Sequence, residues 1–321
     1  MKIFVTGIEG FVGRHLANHL LSLGHEVSGT VWNENQVLPL QERFSSLFLY
    51  QADIRNHDVM VESLKAASPD AVIHLAAQSS GAYSFKNPRL TFEINVLGTV
   101  NLLEVVSQVV PDARIVLVCS SDVYGRVRED QIPIKEETPF QPINPYSASK
   151  AAQDLLGVQY FHSHGLNIIR VRAFPHTGPG QNSAFALSNF AHQISTIEAI
   201  DFPKRISVGN LDVVRDYLDV EDVVRAYTIL IDQGQAGEVY NVASGVGYHL
   251  GDLLNLILSL SCKEIKVEQD PNLFRPSDIP VLVGDATRFK ELTGWKPTIG
   301  MKDTLRRLLD YWRSRQRQGA L

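Results

Sequence analysis

Cysteine is nearly missing from this sequence: two in 321 residues, Cys119 and Cys262. Two thiols make neither a disulfide framework nor a zinc-ligand set, and they suit a reducing, cytoplasmic compartment. An excess of either charge is missing too. Lys plus Arg is 30 and Asp plus Glu is 35, a formal net charge of −5, which excludes the basic surface that non-specific nucleic-acid binding requires. The apolar runs are strand-sized or broken by polar residues, short of the ~20 residues of a spanning helix, so no membrane partner is expected. Met1-Lys2 leads straight into Ile3-Phe4-Val5 and then glycine, which reads as a first strand and not as a secretory leader. There is no internal repeat and no low-complexity tract. Arginines near the end (Arg306, Arg307, Arg313, Arg315, Arg317) read as the solvated face of a last helix. What is present, 44% hydrophobic and 20% charged residues, is enough to bury a core in one or two domains.

The first half alternates strands with helices. Apolar runs at Lys2–Thr6, Glu26–Val31, Leu47–Gln51, Ala71–Leu75, Arg114–Cys119 and Asn167–Val171 read as strands covered on both faces. Helical spacing fills the gaps at Phe11–Leu23, Asp58–Ala67, Leu90–Val109 and Tyr146–Ser163. This is the pattern of an α/β, doubly wound parallel sheet. After about Phe174 the texture changes. Helices are expected near Ala186–Ile200, Glu221–Gln233, Leu250–Leu260 and Met301–Gln316, with short extended pieces at Arg205–Val208 and Val239–Val242. We therefore expect a dinucleotide-binding domain over 1–173 and a smaller mixed lobe over 174–321. The boundary is interleaved, because late strands can return to the main sheet.

Thr6-Gly7-Ile8-Glu9-Gly10-Phe11-Val12-Gly13 sits between the first strand and the first helix, where a dinucleotide fingerprint must sit. Glycines let the backbone approach a pyrophosphate, and the helix N-terminus offers free N–H groups. Gly7, Gly10, Phe11, Val12 and Gly13 are the cofactor candidates; the spacing is one residue longer than the common Rossmann form. An NAD site usually carries an acid at the end of the second strand. Here Val31-Trp32-Asn33 has none before Glu34, nor an arginine. The balance favours NADP(H), with NAD(H) as the second choice. Asp53-Ile54, after the third strand, is placed to meet the adenine; Asp53 and Asn56 are equally good caps for the helix that follows.

Tyr146 and Lys150 are one helical turn apart and share a face. A phenol titrates near ~10, and a neighbouring ammonium lowers that value, so the pair makes a tuned proton donor. Asn144-Pro145 starts the helix cleanly. Upstream, Cys119-Ser120-Ser121-Asp122-Val123-Tyr124-Gly125 closes the fifth strand at the sheet edge where ligands bind, and Ser120 there can hydrogen-bond a reacting oxygen.

Thr6–Gly13, His74-Leu75-Ala76-Ala77, Asn95, Ser120–Gly125 and Tyr146…Lys150 together resemble the extended short-chain dehydrogenase/reductases over essentially the whole chain. The resemblance implies that Ser120, Tyr146 and Lys150 are catalytic, and that Leu75, Ala76, Ala77, Asn95 and Lys150 line the cofactor. It implies a nucleotide-sugar substrate and a homodimer formed through a four-helix bundle from Leu90–Val109 and Tyr146–Ser163. Ala76–Ser80, Phe174–Gln181, Val208–Leu211, Arg215–Val220 and Arg275–Asp278 more narrowly resemble the GDP-4-dehydro-6-deoxy-D-mannose reductases, which make GDP-D-rhamnose. On that likeness Ser79, Ser121, Asp122, His176, Val208, Asn210, Arg215 and Arg275 meet the substrate, the two arginines as diphosphate clamps. One position departs: Pro175 stands where the pattern has Asn, leaving His176 or Asn182 to replace its donor.

The implied reaction is reduction of the C4 keto group, with Tyr146 giving the proton. The sister activity is GDP-mannose 4,6-dehydration, which needs an acid just past the catalytic hydroxyl. Asp122 holds that place, one methylene shorter than the usual Glu, and a shift of about 1 Å costs a large factor in rate. An epimerase of the same superfamily, or a cofactor-bound sensor without turnover, are the further alternatives.

Overall fold

Seven strands lie side by side in the order Val239–Val242, β6 (Ile168–Ala173), β5 (Arg114–Val118), β4 (Ala71–His74), β1 (Lys2–Thr6), β2 (Glu26–Val31) and β3 (Phe48–Gln51). Every neighbouring pair is parallel. The order reverses between β1 and β4, the crevice where doubly wound sheets bind ligands. The computed structural model describes residues 1–200, 204–274 and 279–319.

Parallel strands need crossovers, and the apolar faces of the helices supply the covering layers. On one side, α1 (Phe11–Ser22) packs on α9 (Val220–Gln233), with Leu16, Leu20, Val223, Val224 and Tyr227 buried between them and the sheet. On the other, α3 (His57–Ala67) packs on α6 (Gly98–Val109) through Met60, Leu64, Leu102 and Val106. Full burial of one such side chain is worth about 1.5–3 kcal/mol. The sequence expectations hold to within a residue or two at most ends, and Val239–Val242 does return to the main sheet, beside β6.

Two expectations need correction. The helix expected over Leu90–Val109 starts earlier and is not uniform. It runs from Pro88 through α5 (Pro88–Phe92) and a π-helical turn at Glu93–Leu97 into α6. As one 22-residue run, Pro88–Val109 is long and apolar enough to cross a membrane by length and composition, contrary to the reading of its interrupted sequence. Half of it is buried within the protein, against α3 and against α7 (Pro145–His164). Short two-residue strands and the helix at Thr287–Thr293 carry too few residues to show a period, and the sequence did not mark them.

Residues after 174 build their own apolar cluster. Leu187, Phe190, Ile194, Ile206, Val208, Leu253, Ile257, Leu305, Leu308 and Trp312 pack together from the helices Ala186–Ile200, Leu250–Leu258 and Met301–Arg317 and the strand Arg205–Val208. That strand pairs in parallel with Lys266–Gln269.

Candidate active site

The turn after β1 is folded tightly onto β2: Gly7 N donates to Thr30 Oγ1 (3.1 Å), Ile8 N to Thr30 O (3.2 Å) and Gly10 N to Gly7 O (3.0 Å). Gly7 has φ +68°, and a Cβ there would lie 2.9 Å from Ala76 Cα. A Cβ on Gly13 would lie 2.6 Å from the carbonyl oxygens of Gly7 and Ile8. Side chains are therefore excluded from both positions, and the bare turn followed by the α1 N-terminus, capped by Gly10 without a side-chain bond, is a cradle that fits a dinucleotide pyrophosphate. Phe11 and Val12 pack against the core. Phe11 also stacks on His176, with ring centroids 6.3 Å apart and planes at 14°.

The end of β2 holds groups that the linear sequence hides. The Glu9 carboxylate, from the glycine turn, accepts Trp32 N (3.0 Å) and Asn33 N (3.2 Å). Arg14, from α1, donates to Glu9 O (2.8 Å) and Gln36 Oε1 (2.6 Å). An acid and an arginine thus both stand where reading along the strand found neither, because the fold brings them there from the next turn and helix. Asp53 is clasped by Arg55, whose Nη2 lies 2.6 Å away, and this hydrogen bond holds its carboxyl below the usual range. Asn56, not Asp53, caps α3. Ile54 is core, 6% exposed.

His74 shows how the end of β4 is fixed. It is buried and neutral, pushed down to about 3 by burial and by the Lys150 charge. Thr99 donates to Asn95 O, so it accepts from His74 Nε2 (3.0 Å); Thr6 then donates to Nδ1 (2.7 Å). Thr6 Oγ1 also accepts Leu75 N and Ala76 N. Leu75, Ala76 and Ala77 are partly buried beside the glycine turn, while Ser79 is exposed. Asn95, expected to line the cofactor, also braces the segment after β4. It is fully buried, with Oδ1 accepting Gln78 N (2.7 Å) and Nδ2 donating to Gln78 O and Ser149 Oγ, so it ties this segment to α7.

α7 begins as expected. Asn144 Oδ1 accepts Ser147 N (2.8 Å), Ser147 Oγ accepts Asn144 N, and Pro145 follows the cap. This sets Tyr146 against the end of β5, close enough to Ser120 for that hydroxyl to act on the phenol. Ser120 Oγ also accepts Asp122 N (3.2 Å). Ser121 Oγ is buried without a hydrogen-bond partner among the described residues. Lys150 is 5% exposed, and its Nζ donates to Val118 O (2.9 Å) and Gln153 Oε1 (2.8 Å).

The electrostatics differ from the sequence expectation. Burial, and secondarily the Asp122 charge, push the Tyr146 hydroxyl up, against a lowering by the Ser120 hydrogen bond. Burial brings Lys150 down to about 8. Lys150 donates to Val118 O and Gln153 Oε1 and not to the phenol, so no hydrogen bond from the ammonium primes Tyr146. Gln153 was not marked from the sequence, although its place three residues after Lys150 puts it on the same helical face.

The expected substrate residues are more dispersed. Burial pushes the His176 imidazole down, and its Nδ1 lies 2.9 Å from Phe174 O; a carbonyl only accepts, so Nδ1 carries the proton and Nε2 is the acceptor. Pro175 O accepts Leu218 N (2.9 Å), and Asn182 is exposed, turned onto Ala184 N. Val208 is core, 1% exposed. Asn210 Oδ1 accepts Asp212 N (2.9 Å). Arg215 lies on a short strand between Tyr248–His249 and Val281–Leu282, donating to Val214 O (2.9 Å). Arg275 lies outside the described residues.

A hydroxyl, a phenol and an ammonium at the carboxyl end of β5, on the same sheet edge as the glycine turn after β1, can protonate an oxygen held beside a dinucleotide. The family model for GDP-mannose 4,6 dehydratase matches residues 4–308. The chain belongs to this family. Within the family's reach it is similar to the GDP-6-deoxy-D-mannose reductase of Pseudomonas aeruginosa, 37% identical over 99% of both chains. It is also similar to the GDP-mannose 4,6-dehydratase of Vibrio cholerae, 28% identical over 94% of this chain and 91% of that one. Among solved structures it matches RMD from Pseudomonas aeruginosa complexed with NADPH: TM-score 0.86, 35% identity, 98% of this chain and 99% of that. The family fold extends to a Thermus thermophilus UDP-glucose 4-epimerase complex with NAD: TM-score 0.87, 28% identity, 98% and 99% covered.

Proposed function

We propose that this chain reduces the C4 keto group of GDP-4-dehydro-6-deoxy-D-mannose to give GDP-D-rhamnose, with NADP(H) as the favoured cofactor and NAD(H) second. The observation that carries the reading is the likeness to the Pseudomonas reductase over 99% of both chains. Burial and the Asp122 charge push the Tyr146 hydroxyl up, which suits the proton donor that reduction needs at that place. Dehydration remains the second reading, because Asp122 lies close enough to Tyr146 for its charge to act on the phenol.

NADPH, when bound, supplies the hydride. Gly7, Gly10 and Gly13 hold its pyrophosphate, and Arg14, Asn33 and Asp53 surround the adenosine end. Ser120 hydrogen-bonds the sugar oxygen, and Tyr146 gives it a proton as negative charge develops there. Lys150 holds its charge beneath them. We assign the lobe over 174–321 to the nucleotide sugar, with His176 and Arg215 nearest the diphosphate. The experiment is incubation with GDP-4-dehydro-6-deoxy-mannose and NADPH, read by mass, beside GDP-mannose alone. A gain of two hydrogens is expected from the first; loss of water from the second would establish the dehydratase instead.

We further propose a cytoplasmic homodimer. Phe92 and Leu97 are 39% and 59% exposed on the helical run over 88–109, and Leu155 is 58% exposed on α7. Large apolar side chains exposed on two packed helices fit a four-helix interface. Leu97→Glu combined with Leu155→Glu should shift the sedimenting species from a dimer to the 35.7 kDa monomer; an unchanged dimer would place the interface elsewhere.

A further inference from the structure

Lys150 stands almost without solvent at the end of β5, and an ammonium carries three donors. Val118 O takes one at 2.9 Å and Gln153 Oε1 a second at 2.8 Å. Gln153 is itself 1% exposed. Its other end, Nε2, is buried and has no hydrogen-bond partner among the described residues. A buried amide with one end unsatisfied costs stability. An apolar residue of the same size would avoid that cost, so the amide's presence is explained by its oxygen, which accepts from the Lys150 ammonium.

We propose that Gln153 is a positioning residue for the reduction: its amide oxygen fixes the Lys150 ammonium and keeps it charged, leaving one N–H for the phenol or the cofactor ribose. The proposal rests on Lys150 serving the reaction assigned above. A hydrogen bond accepted from a charged donor favours the charged form. The bond therefore opposes burial, the main influence that brings Lys150 down to about 8.

Among the described groups around this centre, Lys150, brought down to about 8, is the one placed to change charge between pH 6 and 9. From the end of β5, the Cys119 thiol is pushed up by burial. From the end of β4, His74 is neutral at about 3. From α9, Tyr227 is pushed up by burial, and Tyr146 on α7 likewise, with Asp122 acting on it. Beyond Cys119 lie Asp154, Arg170 and Arg172, joined as ion pairs.

The test uses the full-length chain with NADPH. Lysine labelled with 13C at Cε is titrated by NMR, its Lys150 signal assigned with Lys150→Met, and kcat/KM is measured from pH 6 to 9.5. In Gln153→Leu the Lys150 midpoint should fall by about one pH unit, and in Gln153→Glu rise by a similar amount. Lys150 is charged below its midpoint and neutral above it. The Leu variant should thus lose about tenfold in kcat/KM at pH 9 and almost nothing at pH 6. A midpoint unmoved in both variants, or a loss equal at every pH, overturns the proposal. Should the Leu variant not fold, the Glu variant's midpoint decides alone. If the parent does not reduce the keto sugar, the functional assignment fails, and the NMR midpoints still decide what Gln153 does to Lys150.

Discussion

Tyr146→Phe should lower kcat by about 10²–10⁴-fold, the usual worth of a positioned general acid. NADPH affinity should stay near that of the parent. The ring remains, so the α7 N-terminus keeps its packing, and the Asn144–Ser147 cap does not involve the hydroxyl. Only the proton donor beside Ser120 is removed. NADPH fluorescence titration reports binding, and stopped-flow loss of absorbance with the keto sugar reports the chemical step. Turnover at the parent rate would end the assignment of Tyr146.

Asp154→Ala should destabilise the protein by roughly 3–5 kcal/mol, the cost of stranding buried charge. Asp154 is fully buried and accepts from Arg170 Nη1 (2.7 Å), Arg172 Nε (2.8 Å) and Arg172 Nη2 (3.2 Å). Burial works against the Arg172 guanidinium, yet the Asp154 hydrogen bonds and charge outweigh it and hold its pKa above the ordinary value. Arg172 also lies over Tyr124 and Phe140, 5.2 and 4.5 Å from the ring centroids, and donates to Glu136 O (2.7 Å). Two guanidiniums share one carboxylate here, so its loss leaves both in the interior. Urea unfolding at fixed protein concentration, which holds any dimer contribution constant, measures the loss. A change below about 1 kcal/mol would mean that water or a shifted carboxylate replaces Asp154.

The sheet was readable from the sequence because parallel strands covered on both faces write continuous apolar runs; Val239–Val242 was marked only as a short extended piece of the second half. The glycine turn and the Ser120–Tyr146–Lys150 group were readable because each is local or lies at an element end. What lay hidden depends on contacts across the chain. Glu9 and Arg14 reach the end of β2 only once the turn folds over it. Asn95 was marked as a cofactor residue, but its bonds to Gln78 and Ser149 could not be read along the chain. The direction of the Tyr146 shift follows from burial and from Asp122, and neither is visible from a four-residue spacing.

The pairing of β6 with Val239–Val242 bears on how the polypeptide is made. As synthesis proceeds, Ile168–Ala173 emerges with one rim of N–H and C=O groups open, and Ile168, Ile169 and Val171 lie along it. The strand that closes the rim is encoded only after the first lobe helix and α9 have passed. Until then the nascent sheet offers a template for stray β-pairing, so a fragment ending at residue 173 would tend to self-associate, and the two halves of this protein are best regarded as a single unit of assembly.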